Sequence, residues 1–154
     1  LWLAEAYVEA GRLEDARKQV NDIRARAANP EGFVPEAIQG GSRIEYTTTA
    51  NPAANYNVGQ YTDAWTDQAV ARKAVRYETR IEFAMEGHRY FDLQRWGTMA
   101  STINEYLGRE SRYRIYLQGK SFTSPRNQYY PIPQQAIDRS FVEGSPTLTQ
   151  DPNY

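Results

Sequence analysis

Residues 72–97 read RKAVRYETRIEFAMEGHRYFDLQRWG, and they lie inside the longest run of the chain without proline. Their apolar residues recur at helical spacing, which predicts a long central helix. Asp67 or Thr66 is expected to cap its start, because a short side-chain oxygen accepts hydrogen bonds from the free N–H groups of the first turn. Gly87 indicates a kink or a cap. One apolar face is predicted to run through Val70, Ala74, Tyr77, Ile81 and Ala84 or Met85.

The charged residues of this stretch form rows that repel themselves on a helix. Arginine recurs at positions 72, 76 and 80, and glutamate at 78, 82 and 86. Like charges four residues apart cost a few tenths of a kcal/mol per pair, so we expect counter-charges on neighbouring elements rather than a solvated charged face. After Gly87 the signs alternate every third residue. The predicted structural ion network comprises Arg76, Glu78, Arg80, Glu82, Glu86, Arg89, Asp92 and Arg95.

Composition excludes several classes of function. The 154 residues suit a single domain, and their net charge of −1 gives no electrostatic basis for binding nucleic acid. The chain has no cysteine and one histidine, so disulfides, thiolate or histidine-rich metal sites and cysteine nucleophiles are not expected. We therefore predict no metal and no cofactor. No apolar run reaches the length of a membrane span, and the opening LWLAEAYVEA begins mid-helix without a signal peptide, which suggests part of a longer protein.

Residues 1–29 predict a helical hairpin like a tetratricopeptide unit. Gly11 is expected to form the turn, and Asn29-Pro30 to end the second helix. Small residues let such helices approach closely while large ones fill the gap between them, and one unit cannot bury its apolar face alone. Its partner helices are therefore expected in Asp67–Trp96 or in missing sequence. The ladder consists of Leu3, Ala4 and Tyr7 on the first helix and Ala16, Val20 and Ile23 on the second.

Residues 30–65 read as a long loop that is interrupted by proline and glycine. A short helical turn is predicted at 35–38 and a short strand at 43–48. Aromatic rings beside amides suit sugars, because the ring packs on C–H groups while the amide satisfies hydroxyls. The alternative is that these rings pin the loop to the scaffold. The ligand-binding candidates are Trp65, Tyr61, Tyr56, Tyr46 and Asn55.

Residues 66–108 are predicted to hold the central helices, including a second one from Thr98 to Gly108. Residues 109–154 are predicted to be irregular, with possible short strands at Tyr113–Leu117. The prolines at 131 and 133 favour an extended segment over 128–133, and a short helix is expected over 134–139.

Two signatures in this chain resemble those of the SusD/RagB family of outer-membrane nutrient-binding lipoproteins. The first is ETRIEF at 78–83 followed by EGHRYFDLQRWG at 86–97, and the second is PIPQQAIDR at 131–139 followed by LTQDPNY at 148–154. Thr79 replaces the second arginine of the family pattern, Asp151 replaces an asparagine, and the link over 140–147 is longer than usual. The signature residues of 86–97 themselves are interpreted as architecture, with Trp96 filling the turn that follows.

The resemblance implies a mainly α protein with a tetratricopeptide-like hairpin, a long central helix, long irregular loops and few short strands. It implies a non-catalytic, glycan-binding component of a TonB-dependent nutrient-uptake system for polysaccharide utilisation. It further implies an oligosaccharide or polysaccharide ligand, a SusC-like transporter as partner, and a lipid anchor at the cell surface of the outer membrane in a missing N-terminal region. In the family, sugar contacts lie largely in loops that precede this part of the chain. A peptide-binding lid of the same type or a tetratricopeptide adaptor is the alternative.

A glycoside hydrolase is the remaining class that we considered, since it needs two carboxyl groups flanking the scissile bond. Glu78, Glu82 and Glu86 have suitable helical spacing. Arginines crowd the same helix, however, and nearby cations lower the pKa of a carboxyl group, the wrong direction for a general acid. The chain is therefore not expected to be an enzyme.

Overall fold

The computed structural model describes residues 1–47 and 51–154, which form two compact units, Leu1–Ala84 and Met85–Tyr154. Helices hold about 47% of the chain and the described sheets have two short strands each, so the mainly α fold class is confirmed. Within the described ranges, no helix is both long enough and apolar enough to cross a lipid bilayer.

The first unit is a three-helix assembly. Helix α1 (Trp2–Glu9) and helix α2 (Leu13–Ala27) form the predicted hairpin, and α3 (Gln68–Glu82) packs against both. Gly11 adopts a φ of +74° at the turn, a value that glycine reaches without steric cost. Helix α3 is therefore the partner helix that the hairpin requires, and it lies within the predicted range Asp67–Trp96. The core residues of this unit are Ala4, Val8, Ala16, Val20, Trp65, Ala71 and Val75.

Helix α3 begins where predicted but ends earlier. One carboxylate oxygen of Asp67 accepts from the backbone N–H of Ala69 and Val70 at 2.7 and 3.1 Å, which is the expected cap. The helix ends at Glu82, and Met85 and Gly87 then adopt φ values of +69° and +80°. The stretch 72–97 therefore contains two helices rather than one, and the glycine marks the break between them.

The predicted apolar face of α3 is not its buried face. Val70, Tyr77 and Ile81 are exposed, whereas the helix buries Ala71, Val75, Glu78 and Thr79. The prediction was wrong because periodicity gives the larger apolar residues most weight. Close packing on the hairpin instead needs small residues at the contact, and the alanines of α1, α2 and α3 provide them.

The long connection between α2 and α3 contains a β-hairpin. Strand β1 (Ala37–Gly40) pairs antiparallel with β2 (Arg43–Tyr46), with Ala37 opposite Tyr46. The short helical turn predicted at 35–38 is therefore wrong, since its backbone groups are used in strand pairing. The predicted strand is present, although its last predicted residue, position 48, lies outside the described residues.

The second unit carries short helices that are joined by irregular segments. Leu93 and Met99 are its buried apolar residues. The strands predicted at Tyr113–Leu117 were wrong, because residues 115–117 form a single 3₁₀ turn. The helices predicted after Thr98 and after Pro133 are both present. The elements are α4 (Arg89–Arg95), α5 (Met99–Glu110), 3₁₀ turns at Ile115–Leu117 and Arg126–Gln128, α6 (Gln134–Asp138), and the strand pair β3 (Phe141–Val142) and β4 (Ser145–Pro146).

Candidate functional site

Trp65 and Tyr61, the first two ligand-binding candidates, pack into the first unit. Trp65 is 8% exposed and belongs to the core, and Tyr61 meets it edge to face at 5.2 Å between ring centroids. The guanidinium of Arg24 lies 5.0 Å from the Tyr61 ring centroid. Burial raises the pKa of the Tyr61 hydroxyl. These contacts leave little of either ring for a ligand and indicate that both rings hold the loop on the helices.

The backbone around Tyr61 is held by side chains of one face of α2. Asn21 accepts from the Tyr61 N–H at 2.8 Å and donates to its carbonyl at 2.9 Å. Arg17 donates to the same carbonyl at 2.7 Å, and the carboxylate of Glu14 accepts from the N–H of Trp65 at 2.6 Å. The segment Gly59–Trp65 is therefore bound along α2 much as a helix surface binds an extended peptide.

The other loop candidates lie in separate surroundings. Tyr56 stacks on Phe33 with 4.3 Å between ring centroids, and its hydroxyl accepts from the N–H of Val34 at 3.3 Å. Tyr46 on β2 and Asn55 are both exposed. Within the described residues, no ring contact joins the Tyr56 stack to the pair of Tyr61 and Trp65. The structure therefore does not bring the five candidates into one site.

Counter-charges for Glu78, Glu82 and Arg72 of α3 lie on α1 and α2. Glu78 accepts from Arg24 at 2.8 Å, and Glu82 pairs with Arg26. Arg72 makes two hydrogen bonds of 2.7 and 2.8 Å to Glu9, which hold the pKa of that carboxyl below its ordinary value. These ion pairs tie the three helices of the first unit together. Of the other α3 residues in the predicted network, Arg80 is exposed and Arg76 is partly buried.

In the second unit, two arginines of the charged stretch after Gly87 lie beside the indole of Trp96. Arg95 pairs with the buried Asp92 at 3.1 Å, and Glu86 lies 3.8 Å from the imidazole of His88. The guanidinium groups of Arg89 and Arg95 lie 5.6 and 5.4 Å from the Trp96 ring centroid. Cations at such distances from an aromatic face are attracted to it, so these residues stabilise the end of α4.

The second unit also contains an open cleft of about 610 Å³, which lies between α4 and the segment 128–130 at the end of the 3₁₀ turn Arg126–Gln128. The Tyr90 hydroxyl joins the two walls by donating to the Gln128 carbonyl at 2.6 Å, and Tyr90 meets Phe91 edge to face at 5.6 Å. Burial raises the pKa of the Tyr90 hydroxyl above its ordinary value. The cleft is lined by Tyr90, Phe91, Gln94, Gln128, Tyr129 and Tyr130.

Several polar groups of this cleft are unused. Among the described residues, the side-chain amides of Gln94 and Gln128 and the hydroxyls of Tyr129 and Tyr130 make no hydrogen bond. None of the six lining residues carries a charge. The cleft therefore combines aromatic surface with groups that both donate and accept hydrogen bonds.

The tail of the chain braces one wall of the cleft. The Tyr154 hydroxyl lies 2.5 Å from the Arg126 carbonyl oxygen and 2.7 Å from that of Tyr129, and the Arg126 guanidinium lies 5.3 Å from the Tyr154 ring centroid. Gln150 donates to the Ile132 carbonyl at 2.8 Å and accepts from its N–H at 3.0 Å. The extended segment that carries Tyr129 is thereby fixed on both sides.

A protein-family model that describes the SusD family matches residues 1–154, the whole sequence. The chain belongs to the SusD family. No curated protein matches it. The similarity of this SusD-family chain to its family therefore extends over the whole sequence and is not limited to the signatures at 86–97 and 131–139.

Sequence reasoning missed the cleft of this SusD-family chain. Its signature residues were interpreted as architecture, and the ligand candidates were sought in the loop 30–65. The available signal was the recurrence of two adjacent aromatic pairs, Tyr90-Phe91 and Tyr129-Tyr130, each with a glutamine nearby. Sequence spacing alone does not show that the fold places the aromatic pair Tyr90-Phe91 opposite the pair Tyr129-Tyr130. In the described parts of the chain, no cluster of carboxylate or histidine side chains is arranged to hold a metal ion.

Proposed function

We propose that this SusD-family protein is a non-catalytic, glycan-binding component of a TonB-dependent nutrient-uptake system. Its partner would be a SusC-like outer-membrane transporter, and a lipid anchor in sequence outside these 154 residues would hold it at the cell surface. The observation that carries the proposal is the family match over the whole chain. On this view residues 1–154 are the C-terminal part of a SusD-like domain.

The side-chain chemistry favours binding over catalysis. Glu78 and Glu82, two of the carboxylates considered for hydrolysis, are each paired with an arginine of α2. These ion pairs already hold both carboxylates between α3 and α2. The cleft of the second unit has no carboxylate in its lining. Neither place offers two carboxyl groups outside ion pairs to flank a scissile glycosidic bond.

A peptide-binding lid or tetratricopeptide adaptor is the alternative function. The face of α2 that bears Arg17, Asn21 and Arg24 already binds the chain's own segment Gly59–Trp65. A peptide ligand would have to displace this segment and its hydrogen bonds. The first unit therefore favours a structural role for the hairpin over peptide capture on that face.

The test uses the full-length protein. It is titrated calorimetrically with neutral and acidic polysaccharides and with mixed peptides, and released reducing ends are measured over a day. We expect saturable binding to one class of glycan, no release of reducing ends, and co-purification with a SusC-like transporter from outer membranes. Binding to peptides alone would exclude the carbohydrate ligand, and steady release of reducing ends would exclude a non-catalytic role.

A further inference from the structure

We propose that the cleft lined by Tyr90, Phe91, Gln94, Gln128, Tyr129 and Tyr130 is a subsite for a neutral sugar ring. This inference rests on the proposed glycan binding and deepens it, because it places a ligand contact within this part of the chain. The proposed sugar contact therefore lies in the second unit, whereas the sequence had predicted it in the loop around Tyr61 and Trp65.

The aromatic side chains supply the first part of the argument. Phe91 is 67% exposed and Tyr130 is 89% exposed, so within residues 1–154 the apolar faces of both rings are open to a ligand. Apolar surface of this size gains stability when it is removed from water, and the C–H faces of a pyranose ring are flat enough to cover it. By contrast, the predicted candidate Trp65 has its ring in the core.

The unused polar groups supply the second part. An amide side chain offers two N–H donors and a carbonyl acceptor, and a tyrosine hydroxyl both donates and accepts. Gln94 and Gln128 therefore match a ligand whose hydroxyl groups also do both. A hydrocarbon ligand would leave these groups unsatisfied, which costs free energy when the cleft is closed over.

The absence of charge from the lining supplies the third part. None of the six lining residues is ionised at neutral pH, so the cleft offers no counter-ion to a uronic acid, a sulfated sugar or the charged ends of a short peptide. A charged ligand would lose hydration without gaining an ion pair. The class of ligand that fits is consequently a neutral oligosaccharide.

The walls are held before a ligand arrives. The bond from the Tyr90 hydroxyl to Gln128 spans the cleft, and the Tyr154 hydroxyl fixes the backbone beside Tyr129. Fixing a site in advance reduces the entropy lost on binding. This arrangement makes Tyr90 and Tyr154 positioning residues, whereas Phe91 and Tyr130 are the expected contacts.

The test measures binding of oligosaccharides to the full-length protein by isothermal titration calorimetry. The neutral probes are maltoheptaose, cellohexaose, xylohexaose and mannohexaose, and the charged probe is hexagalacturonic acid. The main variant is Tyr130→Ala, and the matched control is Tyr113→Ala, because Tyr113 is 84% exposed and lies outside the cleft. Circular dichroism spectra and melting temperatures verify that both variants fold.

We expect one neutral probe to bind, Tyr130→Ala to weaken it about tenfold, as loss of an aromatic anchor does, and Tyr113→Ala to leave it unchanged. If the probe binds wild type and both variants equally, the cleft assignment is wrong while the proposed function stands. If no glycan binds the wild type, the proposed function and the assignment fail together. Binding of hexagalacturonic acid alone would overturn the neutral ligand.

A second variant pair tests the hydrogen-bonding half of the inference. Gln94→Ala removes an unused amide from the cleft, and Gln135→Ala removes an exposed amide from α6. We expect only Gln94→Ala to weaken the neutral probe, by about three- to tenfold for one lost hydrogen bond. Equal affinities for the two variants would contradict a role for the amide.

Discussion

The ion pair between Arg24 and Glu78 is predicted to contribute far more to stability than a surface pair of the same length. The two atoms are 2.8 Å apart, Glu78 is 5% exposed, and the Arg24 side chain is 20% exposed. Arg12 and Asp15 form an equally close pair at 2.7 Å, but their side chains are 57% and 47% exposed. Replacing Arg24 or Arg12 by methionine therefore compares two nearly identical distances at very different burial.

The expected magnitudes follow from what each substitution leaves behind. Arg24→Met keeps an apolar stem but leaves the Glu78 carboxylate buried without its counter-ion. Breaking a buried pair in this way costs about 3–5 kcal/mol, and the partial exposure of Arg24 places this case near the lower value. Arg12→Met leaves Asp15 in water, so its cost is expected to stay below about 1 kcal/mol.

The assay is equilibrium unfolding in urea, followed by the fluorescence of Trp65. Trp2 and Trp96 are replaced by phenylalanine in every protein compared, so that Trp65, in the core of the first unit, is the indole left within residues 1–154. The double variant Arg24→Met/Glu78→Leu is the internal control. It removes both charges together and is expected to recover at least half of the lost stability.

Two results would refute this reasoning. Equal costs for Arg24→Met and Arg12→Met would show that burial does not set the strength of the pair. A double variant as unstable as Arg24→Met alone would show that the loss comes from other contacts of Arg24, such as its position over the Tyr61 ring, rather than from the stranded carboxylate.

Three further predictions concern the first unit. Asp67→Ala should destabilise it by about 1 kcal/mol in urea unfolding, since the N–H groups of Ala69 and Val70 lose their acceptor, and an unchanged midpoint would contradict the cap. Gly11→Ala should cost about 1 kcal/mol because its φ is +74°, and a stabilised variant would show that the turn relaxes. The pKa of Glu9 lies below its ordinary 4.5 in the folded state, so the stabilising effect of this carboxylate is complete above pH 4.5 and is lost as the pH falls from there through the lower pKa of the folded state. The melting temperature of wild type should therefore fall more steeply below about pH 4.5 than that of Arg72→Met, and parallel curves would contradict this.

Local signals in the sequence were sufficient to predict several elements. Gly11 at the hairpin turn, Asp67 at the start of α3 and Pro133 before α6 act through backbone conformation or capping within a few residues. The sign pattern of α3 also predicted that its counter-charges lie on other helices. The turn, the cap, the start of α6 and the sign pattern itself depend on residues that are close together in the chain, which is why spacing reveals them.

Features that depend on distant residues were not predictable in the same way. The inward face of α3 is set by which side of the helix meets the hairpin, and small residues there permit close contact. The cleft depends on a hydrogen bond between residues 38 positions apart, Tyr90 and Gln128. Trp65 was considered as a ligand contact because an indole suits sugars and cores equally, and only tertiary packing distinguishes the two.

The most direct test of the account is a crystal structure of the full-length protein with the neutral oligosaccharide that binds it in calorimetry. The account predicts a sugar ring packed on Phe91 or Tyr130, with its hydroxyls within hydrogen-bond distance of the amides of Gln94 and Gln128. A sugar bound elsewhere, with the cleft occupied only by water, would contradict it.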